Sequence, residues 1–235
     1  MSKSIVISQP RFLPALNYFQ RMEICDCFVF LDTVQYSPSD WENRNKIKTP
    51  LGAQWVTVPV KNSGHGMRIF DTEIENKHNW RSKILKTLRQ NYSKAPFYTY
   101  CMPYLEECFS QDWYKLVDLN MHLIDFACRT LDISCEFVFS SELNVDGSGE
   151  ALLINLCKNL GADKYISGSL GRNYITKRNW DDEGIELCYH DFEPYEYPQI
   201  YGEFLPWLCF VDLFMNCGPK SKDYFFKNLG EITPA

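Results

Sequence analysis

The stretch Ile5-Val6-Ile7-Ser8-Gln9-Pro10-Arg11-Phe12-Leu13-Pro14 constrains the fold of this chain more than any other. A short β-branched run breaks at Gln-Pro, and Leu16-Asn17-Tyr18-Phe19-Gln20-Arg21-Met22 follows a second proline, so the segment reads as strand, turn, helix. A continuous apolar run of strand length comes next, Cys27-Phe28-Val29-Phe30-Leu31, and it ends on Asp32. Two such strands joined by a short helix form a βαβ unit, and their carboxyl ends lie side by side. Open α/β sheets bind ligands at that edge, because strand ends and helix N-termini present unpaired backbone donors to polar or anionic groups. Gln9 is then a candidate for orienting a substrate, Arg11 and Tyr18 for contacting it, and Asp32 is the first candidate base.

The next segment, Asp40-Trp41-Glu42-Asn43-Arg44-Asn45-Lys46-Ile47-Lys48, concentrates amides and cations beside one indole. Arg44 and Lys46 could grip a carboxylate or phosphate, Asn43 could orient polar groups, and Trp41 could cover a ring surface. Residues 54–61 alternate as a half-buried strand with Pro59 near its end, which suggests a sheet edge. A polar turn with His65 leads to a returning strand over 68–74. His65 reads either as an exposed turn residue or as an acid or base closing over a substrate.

Helical periodicity then dominates. Asn79 to Tyr92, Tyr98 to Phe109 and Asp112 to Leu131 read as three helices, a lobe inserted between sheet strands over about 79–131. His122 falls among their apolar positions and reads as a core residue. The α/β pattern resumes with a strand over 133–139, a helix from Gly149 to Leu160 and a strand over 164–168, and this spacing calls for parallel pairing through a right-handed crossover. The turn after that strand, Ser167-Gly168-Ser169-Leu170-Gly171-Arg172, offers hydroxyls, two glycines and an arginine as an anion cradle. A short strand over 184–190 precedes a proline-stiffened stretch that reads either as pocket lining through Tyr195, Tyr197 and Gln199 or as a packed connector. A helix from Leu205 to Asn216 closes the chain. It places Asp212 on an apolar face, where a carboxylate needs a partner. Arg44 or Arg172 are natural candidates, and Asp212 is a site organiser.

Composition sets limits on function. The chain has 235 residues and a formal charge of −6, so a general nucleic-acid-binding role, including binding to a duplex, is disfavoured. Fourteen tyrosines and six tryptophans suit either dense packing or stacking against sugar and base rings. The ten cysteines are scattered through apolar stretches without metal-ligand spacing, so they read as small buried hydrophobes in a reducing compartment, and no metal site is expected. The longest apolar patch, from Phe204 to Cys217, falls short of the roughly twenty residues that span a bilayer. The expectation is a single α/β domain over 1–235, cytoplasmic and without membrane insertion.

The chain resembles the WbqC-like family. The resemblance is carried by Gln9-Pro10, Phe12-Leu13-Pro14 and Tyr18-Phe19, by Phe28 to Asp32 with Val34-Gln35-Tyr36, and by Asn43 to Pro50 with Gly52 and Gln54-Trp55. Its close is similar too, through Tyr165 to Gly168, Gly171-Arg172, Tyr197-Pro198-Gln199, Gly202-Glu203-Phe204 and Asp212-Leu213. In the family pattern a histidine precedes Gln-Pro, and a tryptophan and a glycine precede Tyr-Phe. Ser8, Ala15 and Asn17 stand there in this chain, and Ser8 could not replace a base unaided. The resemblance implies a role among bacterial surface-polysaccharide (O-antigen type) genes, some of which build amino sugars carrying amino-acid or other acyl groups.

The layout is also similar to nucleotidyltransferases and adenylate-forming ligases, a mainly parallel sheet with a phosphate-binding turn after the first strand, although their histidine pair is missing. The leading expectation is attachment of an acyl or aminoacyl group to the amine of a nucleotide-linked amino sugar, a small-molecule substrate. ATP with magnesium or an acyl-CoA would serve as the activated partner. Arg44, Lys46 and Arg172 would hold phosphate or carboxylate. Nucleotidyl transfer to a sugar phosphate, or a non-catalytic nucleotide-sugar-binding accessory role, are the alternatives.

Overall fold

The computed structural model describes residues 3–61 and 66–235. Asn62, Ser63, Gly64 and His65, the turn whose histidine reads either as an exposed residue or as an acid or base, lie outside the described residues.

The opening strand is β1 (Ser4–Ser8), followed by α1 (Leu16–Glu23) and β2 (Cys27–Phe30), and β1 and β2 pair in parallel with Ile5 opposite Cys27 and Ser8 opposite Phe30. Further strands are β3 (Arg44–Thr49), β4 (Gly52–Thr57), β5 (Glu136–Phe139), β6 (Lys164–Gly168), β7 (Glu186–Asp191) and β8 (Glu231–Pro234). Six of these form one sheet in the order β5-β2-β1-β6-β7-β8, parallel throughout except for β8 against β7. Counted along the chain within that sheet, the order is 3-2-1-4-5-6, so the strand order reverses between β1 and β6. Open sheets of this order bind ligands at the carboxyl ends of the strands beside the reversal.

The continuous apolar runs that mark β1 and β2 follow from burial on both faces, as in other parallel sheets. Val6, Phe28, Phe30 and Ile166 point to one side, where they meet α1 and three helices inserted between β2 and β5: α2 (Trp80–Tyr92), α3 (Tyr98–Ser110) and α4 (Leu116–Leu131). α7 (Phe210–Cys217) and α8 (Ser221–Lys227) pack into the same core. Ile5, Ile7, Cys27 and Val29 point to the other side, against α5 (Gly149–Asn159) and Trp180 of α6 (Lys177–Asp181). The inserted helices therefore share one core with the sheet. Nine of the ten cysteines are buried. Among the described residues, no helix is long and apolar enough to cross a membrane.

Several expectations are corrected. β3 and β4 form an antiparallel hairpin with Lys46 opposite Trp55, so the basic stretch is itself a strand and partners residues 52–57. Residues 68–74 contain a single turn of 3-10 helix, Ile69–Asp71, in place of a returning strand. β5 and β6 do not pair: β5 lies on the outer side of β2 and β6 beside β1, so the connection between them spans two strands. The last apolar helix begins at Phe210, and the chain continues into α8 and β8. Gly230 makes that return possible, because its φ is +80° and an added Cβ would stand 2.5 Å from His190 Nε2 and 2.6 Å from the Asp191 carbonyl.

Asp212 also finds partners other than Arg44 or Arg172. It is fully buried on α7 and accepts hydrogen bonds from Tyr92 Oη (2.8 Å), Tyr197 Oη (2.9 Å) and Gln199 Nε2 (2.7 Å). Lys48 reaches Gln199 Oε1 at 2.9 Å and adds a favourable charge. Burial still raises the Asp212 pKa, since desolvation outweighs these partners. Tyr197 and Gln199 thus belong to a network that ties the irregular 192–209 stretch to α2, α7 and β3. Asp212→Ala strands three buried donors, so we predict a loss of about 3–5 kcal/mol in urea unfolding, whereas Asp212→Asn retains an acceptor and loses less.

Candidate functional site

A cleft of about 430 Å³ opens at the carboxyl ends of β1 and β6, where the strand order reverses. Two turns build it. The first leaves β1 at Ser8 and runs through Gln9 and Arg11 to Pro14. Its backbone is strained, since Leu13, fully buried, sits at φ +44° ahead of a proline. Asn45 of β3 holds it there, donating from Nδ2 to the Leu13 carbonyl at 2.7 Å and to that of Phe12 at 3.3 Å. The Phe12 N–H in turn donates to the Trp41 carbonyl at 3.0 Å. One side of the turn therefore carries the hairpin, and the other presents Gln9 and Arg11 to the cleft.

The second turn leaves β6 at Gly168 and passes through a 3-10 segment, Ser169–Asn173. Its glycines are needed for close approach: a Cβ on Gly171 would stand 2.1 Å from Ser167 Oγ, and one on Gly168 would stand 3.3 Å from Arg21 Nη1. Ser167, Gly168 and Gly171 line the cleft opposite Ser8 and Gln9.

Arg21, which sequence reasoning passed over, joins Arg11 in bringing positive charge to the cleft. Asn17, Tyr18 and Arg21 share one face of α1 at helical spacing, and that spacing was the available signal. Arg21 is 8% exposed, and its guanidinium lines the cleft. Burial, with the neighbouring positive charge of Arg11, lowers its pKa to about 10, so it remains a cation at neutral pH. Among the described residues no carboxylate lies within ion-pair distance of Arg21 or Arg11, and Glu150, the acidic residue of the cleft lining, instead accepts from the Thr176 N–H, Asn179 Nδ2 and Trp180 Nε1, each at 2.8 Å. Tyr18 stands behind both. Its ring centroid is 5.6 Å from the Arg11 guanidinium and 5.8 Å from that of Arg21, and its hydroxyl donates to the Gln9 carbonyl at 2.9 Å. It positions the two cations and does not itself line the cleft.

His190, at the end of β7 and in register with Gly168, is a second residue that sequence reasoning did not select. It is 3% exposed, and its Nε2 lies 2.7 Å from the Leu229 carbonyl, which can only accept. Nε2 therefore carries the hydrogen, and Nδ1 is the basic nitrogen. Burial pushes its pKa below the ordinary histidine value, which keeps the ring neutral at pH 7.

Other expected residues lie elsewhere. Asp32 is 1% exposed and spoken for: Oδ1 accepts from Ser140 Oγ at 2.8 Å and the Ser141 N–H at 2.9 Å, and Oδ2 accepts from Ser141 Oγ at 2.6 Å. It joins the end of β2 to the turn after β5. Arg172 is bound bidentately to Asp191 at 2.6 and 2.7 Å and also donates to Thr233 Oγ1, an arrangement that draws the Asp191 carboxyl down to about 2. It fastens β8 to β7 instead of facing the cleft. Asn43 is buried and donates to the Val58 carbonyl at 2.9 Å. Trp41, Arg44 and Lys46 gather on the hairpin, outside the cleft lining. Among the described residues, no group of three or more His, Cys, Asp or Glu could hold a metal ion.

With this geometry established, comparison with known proteins gives the family. The model of the WbqC-like protein family matches residues 9–224, so the chain belongs to the WbqC-like family. The uncharacterised protein Rv1507c of Mycobacterium tuberculosis is 32% identical over 225 residues, covering 94% of this chain and 97% of that protein. No solved structure matches the chain.

Glu42, in the loop beneath Arg11, offers a test by pH. It is 3% exposed with one carboxylate oxygen unpartnered, and burial pushes its pKa up to about 7. Between the ordinary carboxylate value and about 7 the folded state holds a proton that the unfolded state has lost, so stability falls as pH rises through that window. The cost is on the order of 3 kcal/mol by pH 8. Urea midpoints measured at pH 5 and pH 8 should differ less in Glu42→Gln than in the wild type.

Proposed function

We propose that this protein acts in bacterial surface-polysaccharide biosynthesis and attaches an acyl or aminoacyl group to the amine of a nucleotide-linked amino sugar bound in the cleft. The observation that carries this reading is the Arg21 guanidinium, buried against the cleft with no carboxylate within ion-pair distance, the one acidic residue of the lining, Glu150, being held by Thr176, Asn179 and Trp180. A buried cation without a partner is costly, and an anion entering the cleft would offset that cost. Two adjacent guanidiniums favour a doubly charged or extended group such as a diphosphate. The position of the cleft at the reversal of a 3-2-1-4-5-6 sheet supports a nucleotide ligand and the nucleotidyltransferase-like layout. Membership of the WbqC-like family supports the link to O-antigen type genes.

The chemistry suits the other groups present. Amide formation needs the attacking amine to lose a proton while its nitrogen bonds to the acyl carbon and the donor's leaving group departs. His190, with Nδ1 unprotonated, is the base the geometry favours over Asp32, whose oxygens are occupied. Arg11 and Arg21 would also stabilise charge on a phosphate leaving group if the acid were activated by ATP with magnesium; a CoA thiolate would depart if the donor were an acyl-CoA. Gln9 and Ser167 would orient the sugar.

A thermal-shift panel of UDP- and dTDP-linked amino sugars, ATP with magnesium and acetyl-CoA tests this reading. A ligand at about a hundred times its Kd adds roughly 2.7 kcal/mol of stability. We expect an amino-sugar nucleotide to stabilise the wild type, the shift to vanish in Arg21→Gln, and His190→Gln to keep the shift but lose turnover measured by mass gain of the sugar. Binding without turnover in wild type, with any donor, would favour the accessory role. Silence across the panel would contradict the proposal.

A further inference from the structure

We propose that the outward face of the β3–β4 hairpin is a second binding site, for a saccharide bearing a carboxylate or phosphate. Strand alternation divides the hairpin. Asn45, Ile47 and Val56 turn inward and are buried, whereas Arg44, Lys46 and Trp55 turn outward. Lys46 stands directly opposite Trp55, and its ammonium lies 4.9 Å from the indole centroid. The Arg44 guanidinium lies closer, at 4.2 Å, and the Trp41 ring centroid is 5.4 Å from that of Trp55. Two indoles and two cations thus form one platform, with Trp55 39% exposed.

Charge and stacking together mark this platform out. In a chain of formal charge −6, many exposed cations have acidic partners, as in Lys61 with Glu73, Arg68 with Asp71 and Arg89 with Glu106. Exposed lysines without one, such as Lys83, Lys86 and Lys94, are not gathered over an indole as Arg44 and Lys46 are. Among the described residues no carboxylate lies within ion-pair distance of Arg44 or Lys46, and Arg44 Nε is buried without a hydrogen-bond partner. Lying over the Trp55 ring, the Arg44 guanidinium has terminal N–H groups that suit a two-oxygen acceptor. Trp41 provides an apolar ring surface suited to the C–H face of a pyranose. A ring and an anion within one platform describe an acidic sugar. A nucleic acid would demand a longer basic track than two cations on an acidic protein. None of these residues lines the cleft, whereas Trp207 does, so the two sites report separately.

The test is 19F NMR of the full chain carrying 5-fluorotryptophan, its resonances assigned by Trp→Phe variants and titrated with glucuronic acid, glucose 1-phosphate, glucose, inorganic phosphate and an oligothymidylate. The expected result is movement of the Trp41 and Trp55 resonances with the two acidic sugars. Glucose and inorganic phosphate should bind at least tenfold more weakly. The response should be lost in the Arg44→Gln, Lys46→Gln double variant, with the buried Trp80 and Trp180 resonances unmoved as the check of folding, and it should persist in Arg21→Gln, which disables only the cleft. The proposal is overturned if glucose binds as well as glucuronic acid, if only Trp207 responds, if no saccharide produces a shift, or if the oligothymidylate binds more tightly than the acidic sugars.

Discussion

The architecture rests on β1 having parallel neighbours on both sides. Because β2 and β6 flank it and the strand order reverses beside it, the turn that leaves β1 and the turn that leaves β6 part company and leave a crevice. The chain invests considerable structure in that crevice. Leu13 is held at a positive φ by the Asn45 side chain, Tyr18 supports two guanidiniums from behind, and Gly168 lacks the side chain that would crowd Arg21. Strain and unpartnered charge are tolerated in native proteins mostly where a ligand or reaction uses them.

Two carboxylates show how burial changes a residue's meaning. Asp32 and Asp212 both sit at the ends or faces of apolar elements, where a sequence reader looks for catalysts. Each is surrounded by hydroxyl or amide donors, and each serves to join parts of the chain that are far apart in sequence. Arg21 has the opposite character, because its neighbours supply no neutralising charge. A donor set that satisfies a group indicates a structural role, and the lack of one indicates a binding role.

Much of this was legible in the sequence. The β1-α1-β2 unit, the three consecutive helices and the β6 turn announce themselves through periodicity and glycine placement, and Gln9, Arg11, Ser167, Gly168 and Gly171 do meet in one cleft. The hairpin was hidden because Arg44-Asn45-Lys46-Ile47-Lys48 reads as a charged patch, although its alternation with buried Asn45 and Ile47 is that of a strand. Sheet order was not available either, since which strands become neighbours depends on packing across the whole chain. The same holds for Asp32, whose partners Ser140 and Ser141 lie more than a hundred residues away. Arg21 and His190 share this limit: an arginine inside an amphipathic helix and a histidine in a strand acquire significance only when the cleft brings them together.

The central claim is that Arg21 is held as a buried cation awaiting an anion, and replacement by methionine in anion-poor buffer tests it most directly. Exchanging an unpartnered buried charge for an apolar side chain of similar length removes a desolvation cost. The account predicts that Arg21→Met unfolds at a higher urea concentration than the wild type in a low-phosphate, low-sulfate buffer, and that added phosphate narrows or reverses the difference by stabilising only the wild type. A variant that is several kcal/mol less stable whether or not phosphate is present would show that Arg21 is a structural cation, and would contradict the account.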